Sequence, residues 1–154
     1  MENKNFLEIA LKASELAEKE ILSVYSSGFS VEWKPDSTPV TIADKKAEEV
    51  MREFFQKETP GFGIIGEEFG IESKDAKYQW ILDPIDGTKS FIHGVPLFGT
   101  LIALYHKGNP LVSIIRLPAL HSVLYASEGN GAFLDGTHVF TSKENDLSKA
   151  LVLS

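Results

Sequence analysis

The sequence predicts an α+β fold in which two helices are layered on a mostly antiparallel sheet. Two segments with helical spacing of apolar residues come first, and short apolar segments separated by turn residues follow. Helices and strands that are segregated along a chain are typical of α+β domains, whereas strict alternation would predict a parallel sheet. The chain has 154 residues, a length that fits one domain with a buried core.

Both predicted helices have a face of apolar residues at three- and four-residue spacing. The first is predicted over Asn5–Ser26, and Gly28 is expected to end it. The second is predicted over Ile42–Glu58, where Thr41 and Asp44 match the start of a capping box. Its buried face is expected to contain Ala43, Ala47, Val50, Met51, Phe54 and Phe55.

The remaining segments predict loops and strands. Two prolines hold Trp33–Pro39 extended, which indicates a polar loop. Lys107–Pro110 and Asp135–Gly136 are typical of hairpin turns, and the apolar run Ala150–Leu153 indicates the beginning of a further strand. Strands are expected at Gly63–Ile65, Tyr78–Leu82, Phe98–Tyr105, Leu111–Leu117, Val123–Ala126 and Gly131–Leu134.

Composition and charge exclude several classes of function. The hydrophobic content of 43% is ordinary for a globular protein, and the absence of cysteine excludes disulfides and thiolate metal sites. A net charge of −7 argues against a nucleic-acid partner. Charged residues interrupt the N-terminal segment, so neither a signal peptide nor a membrane span is predicted. We therefore expect a cytoplasmic protein whose partner is neither a nucleic acid nor a membrane.

The hexapeptide Asp83–Thr88 directly follows the predicted strand Tyr78–Leu82. Asp83 and Asp86 are spaced so that both carboxylates and the carbonyl of Ile85 can converge on one point. All of these ligands are oxygens, which suits Mg²⁺ better than Zn²⁺ or copper. An isolated Asp-x-x-Asp is more often only a turn, but the buried strand before it and the Gly-Thr after it favour a metal site.

A second acidic segment, Gly66–Glu68, follows the predicted strand Gly63–Ile65. By itself this segment predicts a solvated loop. If the two strands are neighbours in one sheet, however, Glu67 lies beside Asp83. Clustered carboxylates raise one another's pKa unless a cation lies between them, so three acids gathered at strand ends indicate a metal.

Three further features have both a structural and a functional interpretation. Asp44 is either the acid of the capping box or an acceptor for the Thr88 hydroxyl, and the residues alone leave both open. Gly87–Phe91 is expected to open a short helix whose first N–H groups suit a phosphate beside a metal. Lys34, in the proline-rich loop, is most simply a solvated cation.

These residues together resemble the inositol monophosphatase family of Mg²⁺-dependent phosphatases. The resemblance is carried by Gly66–Glu68, by Asp83–Thr88, and by Lys34 with Pro39–Asp44. It extends along the whole chain, including Gly129–Phe133, which is similar to the family's glycine-rich hairpin. The resemblance implies hydrolysis of a small phosphorylated metabolite, and it implies the N-terminal half of the layered αβαβα sugar-phosphatase fold.

The resemblance also implies ligands for two metal ions. Glu67, Asp83 and the Ile85 carbonyl would hold the activating Mg²⁺, and Asp83 would bridge to a second ion that Asp86 also binds. Metal ions in such sites lower the pKa of bound water and clamp the attacking and leaving oxygens of an in-line displacement.

The catalytic residues implied by the resemblance are Thr88, Asp44 and Glu67. Thr88, oriented by Asp44, would help to deprotonate the attacking water, and Glu67 would contact that water through the metal shell. The amides of Gly87 and Thr88 would hold the phosphate. The substrate-binding segment would comprise Ile85, Asp86, Gly87 and Thr88.

Within the family, the segment Lys89–Leu104 is most similar to the histidinol-phosphate phosphatase branch, which implies a role in histidine biosynthesis. Inositol phosphatases more often carry Thr-Asn-Phe after the Gly-Thr, and the nucleotide-bisphosphate branch carries Lys-Glu-Phe. Inositol monophosphatase and nucleotide 3′-phosphatase activities are therefore the alternatives.

One departure from the family is large. The family's second half is an α/β domain with a Trp-Asp pair whose aspartate completes the second metal site, and here neither Trp33 nor Trp80 precedes an aspartate. We therefore expect residues 1–149 to form the metal- and phosphate-binding domain and residues 150–154 to begin a missing one. Such a chain is expected to bind Mg²⁺ weakly and to hydrolyse esters poorly. The exposed apolar strand that begins at Ala150 favours a homodimer or higher oligomer. The alternative function is a non-catalytic binding or assembly module.

Overall fold

The computed structural model describes residues 3–27, 30–33 and 39–150, with the backbone alone at residues 3–5, 33 and 39. Its α+β class confirms the sequence prediction, because helices lie against one face of a mostly antiparallel sheet. No helix in these ranges combines the length and the apolar character that crossing a membrane requires.

The helices are α1 (Asn3–Ser27), α2 (Ile42–Glu58) and α3 (Thr88–Ile92). The bounds of α2 match the prediction, and α1 begins two residues earlier and ends one residue later than predicted. The short helix expected after Gly87 is confirmed by α3. Gly28, the expected end of α1, lies outside the described residues.

The buried face of α2 differs from the prediction in its chemistry. Of the predicted residues, Phe54 is half-buried and packs against the core and Val50 is only half-buried, whereas the structure also buries Asp44 and Glu48. The two acids are four residues apart, so they lie on one stripe of the helix. Burial of a carboxylate requires polar partners, and both acids have them. The buried residues of α2 are Ala43, Asp44, Ala47, Glu48, Met51 and Phe55.

The strands form a two-stranded ribbon and one large sheet. The ribbon pairs β1 with β2, and the sheet has the order β10-β9-β8-β7-β6-β5-β3-β4. Every neighbouring pair of described strands is antiparallel except β3 and β5, which are parallel. The strands are β1 (Val31–Trp33), β2 (Pro39–Thr41), β3 (Gly63–Gly66), β4 (Gly70–Glu72), β5 (Tyr78–Asp86), β6 (Gly99–His106), β7 (Asn109–Leu117), β8 (Ser122–Ser127), β9 (Gly131–Leu134) and β10 (Thr137–Val139).

Strand β5 is longer than predicted. The prediction ended this strand at Leu82, but pairing with β6 continues as far as Asp86. The first four residues of the hexapeptide, Asp83–Asp86, are therefore part of the strand, and only Gly87 and Thr88 follow it. Pro84 does not interrupt the strand because it lies in an irregular stretch of the ladder, where a missing N–H is tolerated.

Four strands were not predicted, namely β1, β2, β4 and β10. Each contains three residues, too few to display an alternating pattern, and each is defined by its pairing with a neighbour. In the segment predicted as a polar loop, residues 34–38 lie outside the described residues. The strand expected from Ala150 also falls mostly outside them, since residues 151–154 are not described.

The core lies between the helices and the inner face of the sheet. Trp80 of β5 is fully buried, stacks on Phe55 of α2 with ring centroids 4.1 Å apart, and donates from Nε1 to Thr59 Oγ1 at 3.0 Å. On the other side of the sheet, alternate residues such as Ile81 and Ile115 are exposed. The helices therefore cover one face and leave an open face that carries apolar side chains.

Candidate active site

The candidate site lies where β3 and β5 end side by side. Gly66 pairs with Leu82 in the parallel register, so the next residue of each strand, Glu67 and Asp83, emerges at the same edge. The Glu67 amide donates to the Leu82 carbonyl at 3.3 Å, which continues the ladder by one step. The expectation that Glu67 lies beside Asp83 if these strands are neighbours is confirmed.

A bulge in β5 brings Asp83 and Asp86 to the same side of the sheet. Residues three apart in a regular strand point to opposite faces. Here Asp83 pairs with Leu101 and Asp86 with Gly99, so β5 contains one residue more than β6 across this stretch. The extra residue turns the Asp86 side chain to the same side of the sheet as that of Asp83, and both aspartates line one cleft.

A buried hydroxyl supports the bulge from the neighbouring strand. Thr100 is fully buried, and its hydroxyl donates to the Pro84 carbonyl at 2.9 Å. This bond gives the Pro84 carbonyl a buried side-chain donor within the irregular stretch of the ladder. Sequence reasoning missed Thr100, because no local pattern indicates which residue of β6 lies opposite the bulge.

Asp83 is the electrostatic centre of the cleft. Burial raises its pKa to about 7, and the negative charge of Glu67, a hydrogen bond shared with Glu67, and the charges of Asp86 and Asp44 act in the same direction. Among the described residues, its Oδ1 is the one buried side-chain oxygen or nitrogen without a hydrogen-bond partner. The fold thus gathers acids around an oxygen that it does not satisfy itself.

Asp44 lies in the first turn of α2 and completes a capping box. Its Oδ2 accepts from the Thr41 amide and from the Thr41 hydroxyl, both at 2.7 Å. Burial raises the pKa of Asp44, the bonds from Thr41 oppose that rise, and the charge of Glu67 adds to it. Of the two interpretations left open by the sequence, the capping role is confirmed.

The end of β5 turns sharply into α3. Gly87 has φ of +85°, a backbone conformation that side chains disfavour, and an added Cβ would lie 3.1 Å from the Leu97 carbonyl oxygen. The Thr88 hydroxyl donates to the Ile85 carbonyl at 3.0 Å. The bond between Thr88 and Asp44 that the family resemblance implies is therefore not the one formed in this structure.

The cleft has a volume of about 470 Å³ and brings together most of the predicted residues. Asp44 is not part of its lining, and Lys34 lies outside the described residues. Lys89 lines the cleft although sequence reasoning assigned it no role; its position directly after Thr88 was the available signal. The lining comprises Glu67, Asp83, Ile85, Asp86, Gly87, Thr88 and Lys89.

The donor set of the cleft fits a hard divalent cation. It combines carboxylates with a backbone carbonyl, the ligand types that Mg²⁺ prefers. Within the described ranges, no three His, Asp or Glu side chains are arranged as a ready-made ligand set. The fit therefore depends on the unsatisfied Oδ1 of Asp83, on the adjacent Glu67 and Asp86, and on the oxygens of the main chain.

Comparison with known proteins places these features in a family. The sequence model of the inositol monophosphatase family matches residues 2–154. A histidinol-phosphatase from Chlorobaculum parvum is 41% identical over 148 residues, which cover 96% of this chain and 57% of that protein. An inositol-1-monophosphatase from Mesorhizobium japonicum is 35% identical over 130 residues, which cover 84% of this chain and 48% of that protein.

A solved structure shows the same fold. An IMPase from Thermotoga maritima superposes with a TM-score of 0.84 at 31% identity, and the match covers 90% of this chain and 54% of that one. The chain thus spans about half the length of the relatives it matches.

Proposed function

Because the chain belongs to the inositol monophosphatase family, we propose that it carries the metal- and phosphate-binding half of a Mg²⁺-dependent phosphatase for small phosphate monoesters. The observation that carries this proposal is the Asp83 carboxyl. Its Oδ1 has no partner among the described residues, and burial with Glu67 and Asp86 nearby raises its pKa to about 7. A divalent cation would supply both the missing partner and the compensating charge.

The groups that would hold Mg²⁺ are the carboxylates of Glu67, Asp83 and Asp86 and the carbonyl of Ile85. All four residues line the cleft. The Ile85 carbonyl accepts from Thr88, and its second lone pair can serve a metal. When bound, Mg²⁺ lowers the pKa of coordinated water and provides positive charge beside the phosphate.

The chain's own residues would hold the proton and the phosphate. We assign Thr88 and Glu67 to the attacking water, each as an acceptor at a side-chain oxygen. For Asp44 to orient Thr88, the Thr88 hydroxyl must exchange its bond to the Ile85 carbonyl for one to Asp44. The amides of Gly87 and Thr88 lie at the start of α3, where N–H groups have no intrahelical acceptor, and they would orient the phosphate.

Histidinol phosphate is the substrate we propose. The histidinol-phosphatase relative is more similar in sequence than the inositol-1-monophosphatase relative, and Lys89–Leu104 supports the same branch. Inositol phosphates and nucleotide 3′-phosphates are the alternatives. With this substrate we also propose a place in histidine biosynthesis and a cytoplasmic location.

We propose that residues 1–149 form one domain and that a second domain completes the site. The support is the length of the relatives together with the open face of the sheet. That face carries a groove of about 310 Å³, which borders Asp83 and is lined by apolar residues including Ile81, Leu101 and Ile115. An uncovered groove of this kind favours self-association, so light scattering of the 154-residue chain should show a dimer or larger species. A single monomeric species would contradict this expectation.

Phosphate release tests the proposed function. We expect weak, Mg²⁺-dependent release by the 154-residue chain, faster from histidinol phosphate than from inositol 1-phosphate or a nucleotide 3′-phosphate. Asp83→Asn should abolish the release. Release that continues without divalent cations, or in Asp83→Asn, would refute the proposal. Turnover equal to that of a full-length relative would refute the proposal that a second domain completes the site. Failure to bind Mg²⁺ would favour a non-catalytic binding or assembly module.

A further inference from the structure

The segment that carries Glu67 is held in place by a buried ion pair on α2. Glu48 is fully buried on that helix, and its Oε1 accepts from Arg52 Nε at 2.8 Å one turn later. Two successive backbone amides of the β3–β4 turn also bond to Glu48: the Glu68 amide donates to Oε2 at 2.7 Å, and the Phe69 amide donates to Oε1 at 3.1 Å. Both carboxylate oxygens are therefore used on the residues that directly follow Glu67.

Arg52 extends the same contact to the far side of the turn. Its Nη2 donates to the Gly70 carbonyl, and its Nη1 lies 3.6 Å from Glu72 Oε2. Together, Glu48 and Arg52 bond to three consecutive residues, Glu68 and Phe69 of the turn and Gly70 at the start of β4. A guanidinium suits this task because its planar fork bonds in two directions at once.

Gly66 permits the close approach on which these bonds depend. A Cβ at this position would lie 1.9 Å from Glu48 Oε1 and 2.8 Å from Arg52 Nη2. Any side chain here would therefore displace either β3 or the Glu48 and Arg52 side chains from their present contact. The glycine before Glu67 has a packing reason that is independent of the metal ligands.

Glu67 is consequently fixed on both sides. Its amide donates to the Leu82 carbonyl of β5, and the two amides after it are bonded to Glu48. Between these anchors, its side chain reaches Asp83. The bonds to Glu48 and Arg52 tie this turn to α2, and a shift of the turn would move Glu67 relative to Asp83.

We infer that Glu48, held by Arg52, is a positioning residue that sets the Glu67 carboxylate against Asp83 for Mg²⁺ binding. That Mg²⁺ binds here rests on the proposed function. That Glu48 fixes the position of Glu67 rests on the hydrogen bonds described above. Residues outside the ligand set that orient a ligand typically change metal affinity by tenfold to a hundredfold when replaced.

The test compares Glu48→Gln with Glu18→Gln in the ¹⁵N-labelled chain. Glutamine in place of Glu48 would retain the shape of the side chain but lose one acceptor oxygen and the charge that faces Arg52. Glu18 is the matched control, because it also pairs with a buried arginine, Arg116, at 2.9 Å, and that pair joins α1 to β7. Each variant is titrated with Mg²⁺ while the amide shifts of Asp83 and of residues 85–88 are followed, and hydrogen exchange is measured separately without added metal.

We expect Glu48→Gln to weaken Mg²⁺ binding by about tenfold or more and to speed exchange of the Glu68 and Phe69 amides by about tenfold. Glu18→Gln should change neither quantity, although both variants lose stability. Because Glu48→Gln removes a buried charge, Arg52→Lys serves as the milder second variant, with a smaller loss in the same direction. It keeps the positive charge but cannot bond Glu48 and the Gly70 carbonyl through separate nitrogens.

Two results would overturn the inference. Unchanged exchange at Glu68 and Phe69 in both Glu48→Gln and Arg52→Lys would refute the positioning role. An equal loss of Mg²⁺ affinity in Glu48→Gln and Glu18→Gln would show a merely structural role. Failure of the unmodified chain to bind Mg²⁺ would instead refute the proposed metal site, and the exchange data would still show whether Glu48 holds the turn.

Discussion

Glu67 and Asp83 lie side by side because they follow paired residues of two parallel strands, although 16 positions separate them in the chain. Their proximity is one cause of the raised pKa of Asp83. The same sheet edge also receives Asp86 through a bulge in β5.

Mg²⁺ should stabilise the chain, and Asp83→Asn should remove the effect. A ligand that binds only the folded state raises the free energy of unfolding, by about 2.7 kcal/mol at a concentration one hundred times its dissociation constant. Thermal unfolding over a Mg²⁺ series measures this, with Asp75→Asn as the control because Asp75 is an exposed aspartate between β4 and β5. A melting temperature that rises equally in Asp83→Asn would contradict the assignment.

Without added metal, Asp83 should make the chain less stable as the pH rises. Its pKa is about 7 in the folded chain, against an ordinary value of 3.8. Below about pH 4 the carboxyl is protonated in both states. Between pH 4 and 7 the unfolded chain releases the proton while the folded chain keeps it, so the free energy of unfolding falls and the loss is complete above pH 7.

Urea unfolding of the unmodified chain and of Asp83→Asn between pH 4 and 8 measures this contribution. Asparagine does not titrate, so the decline assigned to Asp83 should be missing from the variant. Saturating Mg²⁺ should also reduce the decline, because it binds the ionised carboxylate. Parallel pH profiles for the two proteins would show that Asp83 has no raised pKa.

Thr100→Val should loosen the bulge as well as destabilise the fold. Loss of the hydroxyl removes a buried hydrogen bond to the Pro84 carbonyl, at a cost of about 1 kcal/mol. Because the bulge brings Asp86 beside Asp83, Mg²⁺ affinity should fall too. Thr59→Val is the control: Thr59 is a buried threonine that bonds Phe55 and Trp80. If Thr59→Val lowers Mg²⁺ affinity as much, the effect of Thr100 on the site is only general destabilisation.

Gly87→Ala should impair phosphate binding beyond its effect on stability. Gly87 and Gly108 both have φ of +85°, so alanine at either position should cost about 1–2 kcal/mol of strain. Of these two glycines, only Gly87 has a neighbour that the added Cβ would meet, the Leu97 carbonyl oxygen at 3.1 Å, whereas the space around Gly108 is open. Titration with inorganic phosphate in the presence of Mg²⁺ should show weaker binding in Gly87→Ala alone. Equal binding by both variants would count against phosphate contact at the start of α3.

Much of the secondary structure followed from local patterns. The bounds of α2 were predicted because Thr41 and Asp44 form a capping box at its start, and the strands β3 and β9 were marked by short apolar runs between glycines and turn residues. The end of β5 was predicted too early, since Pro84 and Gly87 are turn formers in local terms and the pairing that extends the strand comes from β6.

Part of the site was also visible in the sequence. The spacing of Asp83 and Asp86 directly after an apolar strand indicates a site. Glu67 belongs to that site only if the two strands are neighbours in the sheet. Glu48 could not be recognised in this way, because a glutamate on a charged helix is typical of a solvated face. Its burial depends on the amides of Glu68 and Phe69, which are 20 and 21 residues away along the chain.

The sequence by itself determined the class of fold, the family resemblance and the residue types that indicate a hard cation, because capping boxes, apolar periodicity and short motifs are local properties. Only the tertiary structure decided which residues meet. The parallel register of β3 and β5 sets Glu67 beside Asp83, the bulge turns Asp86 to the same side, and Thr88 bonds to Ile85 while Asp44 bonds to Thr41. These relationships depend on strand pairing and burial across long separations, for which no local pattern exists.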